Sequence, residues 1–135
     1  MSHKYIIIVG CGRLGTILVN RLSRLGHSIV IIDKDTGAFE GLSSDFSGFT
    51  IGGDAAESSV LQNAKINKAD MFYALTNNDN TNLMLAQIAK DIYKVPFVIA
   101  RVNDPQRDIV YKNLNINTIC PIIIAADELI KRTEG

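Results

Sequence analysis

Cysteine and histidine are scarce in this chain, and neither sign of charge is in excess. There are two cysteines, Cys11 and Cys120, and two histidines, His3 and His27. Two cysteines without a secretion signal exclude a disulfide framework and point to reduced thiols in the cytoplasm. Lys plus Arg equals Asp plus Glu at 14 each, so no broad basic face is available for nonspecific nucleic-acid binding. A local basic pocket for a phosphate stays open. No apolar run is long enough to span a membrane, and the residues before the first strand lack a signal-peptide layout. Internal repeats, low-complexity tracts and linkers are also missing, and 135 residues is an ordinary size for one domain.

What is present is a rhythm of strand, turn and helix. The apolar run Tyr5–Val9 reads as a strand buried on both faces. Leu14, Ile17, Leu18, Leu22 and Leu25 then recur at helical spacing until Gly26. Further strands are predicted at residues 29–32, 49–51, 71–75, 97–100 and 117–120. Between them lie a weak helix over 35–45, a short one over 57–64, and a clear one with Leu85, Ile88, Ala89 and Ile92 on one face. A further helix opens at Asp104-Pro105 and the last at Pro121. Strands alternating with helices at this spacing imply crossover connections, hence an α/β domain built on a parallel sheet.

The last helix is unusual. Ile122, Ile123, Ile124, Ala125, Ala126, Leu129 and Ile130 are apolar on more than one face. Such a helix is expected to be buried, here against another subunit. The alternative is that residues 122–124 prolong the sixth strand and leave a one-sided helix.

The chemistry-bearing segment is Gly10-Cys11-Gly12-Arg13-Leu14-Gly15, which follows a buried strand, opens an amphipathic helix, and is followed by Asp33 at the end of the next strand. Gly10 permits a tight turn, Gly12 lets backbone approach a pyrophosphate, and Gly15 lets the helix pack on the strand. The helix N-terminus offers free N–H groups and the positive end of its dipole to phosphates. Asp33 is placed to accept both ribose hydroxyls, and its charge disfavours a 2′-phosphate; Lys34 follows it on the same rim. An adenosine nucleotide without that phosphate is the ligand this arrangement fits.

Beyond the glycines, the order Gly53-Asp54-Ala55, Ala74-Leu75-Thr76-Asn77-Asn78-Asp79-Asn80-Thr81-Asn82 and Ala100-Arg101-Val102 resembles the TrkA-N or RCK (KTN) family of regulatory domains of bacterial potassium channels and transporters. The resemblance covers essentially the whole chain. It implies a Rossmann-like, doubly wound, six-stranded parallel sheet forming a single domain, and a ligand among NAD(H), ATP, ADP and AMP. It also implies a homodimer or higher ring on a membrane-embedded channel or transporter subunit, peripheral to the membrane on its cytoplasmic side. Arg13 matches an arginine that reaches the phosphates, Asp54 and Ala55 the segment flanking the adenine, and Arg101 a basic residue near the distal part of the ligand. Thr76, Asn77 and Asn78 match the loop beside the pyrophosphate; as a run before an apolar helix they also read as caps, and both roles can hold. The family loop often carries an acidic pair followed by Glu where this chain has Asn78-Asp79-Asn80, and the C-terminal sensing domain of many full-length members is not expected within these residues.

The rival reading is a small NAD-dependent oxidoreductase. It requires a proton donor near the hydride. His3 and His27 fall at the wrong end of the sheet, no Tyr is followed four residues later by Lys, and Cys11 has no partner base. Binding without catalysis is therefore the expectation.

Overall fold

In the computed structural model, which describes residues 2–135, the buried Ile-rich runs pair as parallel strands at the centre of the domain. The elements are β1 (Tyr5–Val9), α1 (Arg13–Arg24), β2 (Ser28–Asp33), β3 (Phe49–Gly52), α2 (Ser58–Asn63), β4 (Met71–Ala74), α3 (Asp79–Gln87), β5 (Phe97–Arg101), α4 (Pro105–Asn113), β6 (Thr118–Ile119) and α5 (Pro121–Glu134). All neighbouring strands run parallel, in the order β3-β2-β1-β4-β5-β6. This is the doubly wound Rossmann-like arrangement. Strand order reverses between β1 and β4, which opens a crevice beyond their carboxyl ends.

Side chains that alternate along the strands feed two cores. Ile7, Val9, Val30, Ile32, Phe72 and Ala74 pack beneath α2, α3 and α4, while Ile6, Ile8, Ile29 and Ile31 pack beneath α1. Every one of these strand residues is at most 4% exposed. Burying a side chain of this size stabilises by about 1.5–3 kcal/mol, so β1 and β2 form the stiff base from which the turn at residues 10–15 projects.

Three elements depart from the pattern read in the sequence. Residues 36–41 form a 3₁₀ turn, capped by the Asp35 carboxylate on Gly37 N–H, in place of a longer helix. Gly37 and Gly41 weaken an α-helix there. The helix after β4 does not keep Leu85 and Ile92 on one face, because Ile88–Ile92 is a π-helical turn. The wider turn rotates later residues, and Ile92 ends up 67% exposed. The sixth strand is two residues long, and Ile122, Ile123 and Ile124 belong to α5, not to that strand.

Candidate functional site

The turn between β1 and α1 is shaped by two glycines for different reasons. Gly10 has φ +107, in the left-handed region, and a Cβ there would sit 2.8 Å from the Leu75 carbonyl carbon and oxygen. At Gly15 a Cβ would collide with the Gly10 carbonyl oxygen, so this glycine lets α1 lie against the turn. Gly12 differs from both. A Cβ at Gly12 would meet nothing within 4 Å.

The turn forms one wall of a cleft of about 410 Å³ at the carboxyl ends of β1, β2, β3 and β4. Gly10, Gly12, Asp33, Lys34, Asp54, Ala55, Thr76, Asn77 and Asn78 line it, as do Cys11, Asp35, Ala38, Leu75, Thr81 and Leu85, which sequence reasoning had not singled out as ligand contacts. Arg13, Leu14, Gly15 and Arg101 lie outside this lining. Arg13 is exposed at the first position of α1, and Leu14 packs into the core beneath that helix. Arg101 ends β5, half-buried, and its Nε is a buried polar atom without a hydrogen-bond partner.

The chemistry of the cleft is that of an anion and polyol site. Gly12, on the cleft wall, is the N-cap of α1 with no side-chain cap, and the first turn carries no acid, so the leading N–H groups are left uncompensated. The Asp33 carboxylate accepts from Cys11 N–H at 2.7 Å and from Asp35 N–H at 2.9 Å. Each oxygen keeps a further acceptor site for a hydroxyl. Asp54 is held in the same way by Ala56 N–H at 2.9 Å, and Lys34 Nζ lies 3.6 Å from its other oxygen.

The opposite wall is an interlocked set of amides. Asn78 caps α3 through Thr81 N–H at 2.9 Å and also lines the cleft, so capping and cleft lining are combined in one residue. The fully buried Asn82 accepts from Thr76 N–H and Oγ1 and donates to the carbonyls of Thr76 and Arg101. Asp79 accepts from Asn103 N–H, Asn103 Nδ2 and Asp104 N–H. Asn82 and Asp79 had read only as part of a polar run.

The Cys11 thiol of the cleft lining is not activated as a nucleophile. Cys11 is buried, and burial pushes its thiol up; the Asp33 charge adds to the rise and a hydrogen bond with Thr16 opposes it. No group of three His, Cys, Asp or Glu among the described residues is arranged to hold a metal.

The sequence profile of the TrkA-N domain matches residues 6–121. The chain belongs to the TrkA-N family. Over 128 residues it is 36% identical to the Trk system potassium uptake protein TrkA of Streptomyces coelicolor, an alignment covering 95% of this chain and 57% of that protein. It thus spans little more than half the length of that relative. Among solved structures, the TrkA-N domain of the Escherichia coli inner membrane protein ybaL superposes with a TM-score of 0.83 at 17% identity, covering 96% of both chains. The GsuK channel bound to NAD superposes with a TM-score of 0.80 at 22% identity, over 96% of this chain and 23% of the channel chain. These two likenesses establish the shared fold of TrkA-N domains.

Proposed function

We propose that this TrkA-N domain binds an adenosine nucleotide, NAD(H), ATP, ADP or AMP, as a signal and performs no chemistry on it. Gly12 carries the reading. Nothing in the protein requires glycine at that position, and the space a side chain would fill lies at an uncapped helix N-terminus on the cleft wall. A phosphate fits that space. Asp33, one strand away, takes the ribose hydroxyls, and Asp54 with Ala55 flanks the base.

The TrkA relative and the NAD-bound channel support a regulatory role toward a membrane-embedded potassium channel or transporter on the cytoplasmic side. No helix among the described residues is long and apolar enough to cross a membrane. Self-association belongs to the same proposal. On the α1 side of the sheet, Met71, Tyr73, Ile99 and Ile119 are only half-buried and Phe97 is 38% exposed. Nearby α5 has no buried residue, with Ile122, Ile124, Leu129 and Ile130 each more than half exposed. An apolar area of this kind on a soluble surface marks an association site, which we assign to a homodimer or ring. Nucleotide and assembly are coupled if one arrangement binds the nucleotide better, typically by about 1–3 kcal/mol.

Calorimetry tests the ligand. Asp33→Ala is expected to weaken NADH and ATP by about 1.5–3 kcal/mol, roughly 10- to 150-fold. Unchanged affinity for both removes Asp33 from the site, and steady NADH oxidation on a carbonyl panel, lost in Gly12→Val, would restore the oxidoreductase. Sedimentation tests assembly: a dimer or larger at micromolar concentration, weakened by Ile130→Asp. A strict monomer with and without nucleotide refutes self-association.

A further inference from the structure

The buried amide of Asn82 is left over when the cleft-lining residues are accounted for. It is 0% exposed, does not line the cleft, and is the most heavily hydrogen-bonded side chain near it. Its Oδ1 accepts from Thr76 N–H at 2.9 Å and from Thr76 Oγ1 at 2.6 Å, while its Nδ2 donates to Thr76 O at 3.0 Å and to Arg101 O at 2.8 Å. All of its hydrogen-bonding capacity is engaged, on the loop after β4 and on the last residue of β5. The Thr76 hydroxyl then holds the next part of the rim by accepting from Asn78 N–H at 3.2 Å. With its proton given to Asn82, this hydroxyl has none to offer a ligand.

We propose that Asn82 is a positioning residue that fixes the rim at residues 76–78 as the phosphate-side wall of the cleft and ties it to the end of β5. Strand order decides which part of the ligand this wall meets. Asp33 and Asp54 stand beyond β2 and β3, the α1 N-terminus stands beyond β1, and residues 76–78 stand beyond β4. A nucleotide with its ribose on Asp33 and phosphates on α1 carries its phosphate end toward the Asn82-held rim and leaves its adenosine on the far side. The proposal therefore rests on the nucleotide reading above, and it predicts a selective defect. Asp79 works beside Asn82: its carboxylate accepts from Asn103 and Asp104, and Asn103 Nδ2 reaches Asn77 O at 3.1 Å.

The test is the ratio of ADP affinity to adenosine affinity, measured by calorimetry on the 135-residue chain. Asn82→Asp keeps the size and the acceptor half of the side chain, but turns an oxygen toward the two carbonyls. Asn82→Leu removes every bond. ADP affinity is expected to fall tenfold or more in either variant while adenosine affinity falls less than twofold. Ile116→Ala, in the core at the far end of the sheet, serves as the destabilised control and should leave the ratio unchanged. Equal losses for ADP and adenosine, or no loss for ADP in Asn82→Asp, overturn the positioning role. If the unmodified protein binds neither ligand, it is the nucleotide reading that fails. Amide hydrogen exchange then decides the remainder: faster exchange at residues 76–78 in Asn82→Asp supports the rim-fixing role, and unchanged exchange refutes it.

Discussion

The two walls of the cleft are made of similar polar residues and built in opposite ways. On the β2–β3 side, Asp33 and Asp54 are half-exposed, and each takes one bond from a backbone N–H two residues ahead. Asp33 has one further tie, to Cys11 N–H, and Asp54 faces an exposed lysine. Beyond β4, Asn82 and Asp79 are buried; Asp79 bonds across 24 and 25 residues of sequence to Asn103 and Asp104, and Asn82 joins Thr76, six residues away, to Arg101, 19 residues away. Tyr111 of α4 closes the set by donating to Asp79 O at 3.0 Å. Hydrogen bonds shielded from water are stronger, and leaving one unmade costs more, than the same groups on a wet surface. One wall is therefore wet and adjustable, and the other is buried and continuous with the core through α4. The wall proposed for adenosine, common to every candidate ligand, is tied among the turns after β1, β2 and β3, whereas the wall proposed for the variable end is wired to the second half of the sheet.

The largest effect that tests this contrast is at Asp79. Asp79→Asn replaces one acceptor oxygen with an NH₂ facing other donors, and is expected to cost about 2–3 kcal/mol of stability at pH 7. Burial alone pushes the Asp79 carboxyl up, but the N–H groups of Asn103 and Asp104, the Asn103 amide and the Arg107 charge outweigh it and hold it below the usual carboxylate range. On acidification the unfolded chain takes up this proton first, so the carboxylate's contribution is intact above its ordinary pKa of about 3.9 and is lost as pH falls through the lower folded value. Urea unfolding at pH 7, 5 and 3.5 should show a constant gap between the two proteins at the higher values and a narrower one at the lowest. Asp108 is held down in the same way, with Lys112 and Thr118 outweighing its burial, but it is present in both proteins and cancels. A gap under about 0.5 kcal/mol at pH 7 would mean that the buried wall is no firmer than an ordinary surface.

Legibility in the sequence followed the same division. Continuous apolar runs mark β1 and β2 because strands buried on both faces leave no room for polar residues, and the glycines mark the turn because Gly10 and Gly15 have no steric alternative. Asp33 was legible because it ends a buried apolar strand behind the glycine-rich turn, and Asp54 because it falls in a motif of the family resemblance. In the Asn-rich wall, Thr76, Asn77 and Asn78 were legible as ligand contacts through the resemblance and as caps, whereas Asn82 was not singled out. Which of Asn77, Asn78, Asn80 and Asn82 turns inward depends on where β5 ends, and no spacing along the chain records that. Likewise the π turn at Ile88–Ile92 leaves no periodic mark, and the exposed faces of α5 show which residues are apolar without showing what covers them.

The smallest effect lies on the open wall. Lys34 Nζ is 3.6 Å from Asp54 Oδ2, with side-chain exposures of 72% and 38%, so the pair is screened by water and salt. Pairs of this kind contribute about 0–1 kcal/mol, and Lys34→Ala is expected to change thermal stability by less than about 0.5 kcal/mol. Its effect on ligands separates two roles for the lysine. If Lys34 only neighbours Asp54, removing it leaves NADH affinity within threefold, and NADPH stays weak on the proposed placement of Asp33 at the ribose. If Lys34 instead reaches a phosphate, affinity for ADP and ATP drops tenfold or more and the loss shrinks as salt is raised. Binding isotherms for NADH, NADPH and ATP at two ionic strengths distinguish the cases. The second result would make the open wall a phosphate contact and reverse the division between adenosine and phosphate sides on which the comparison of the two walls stands.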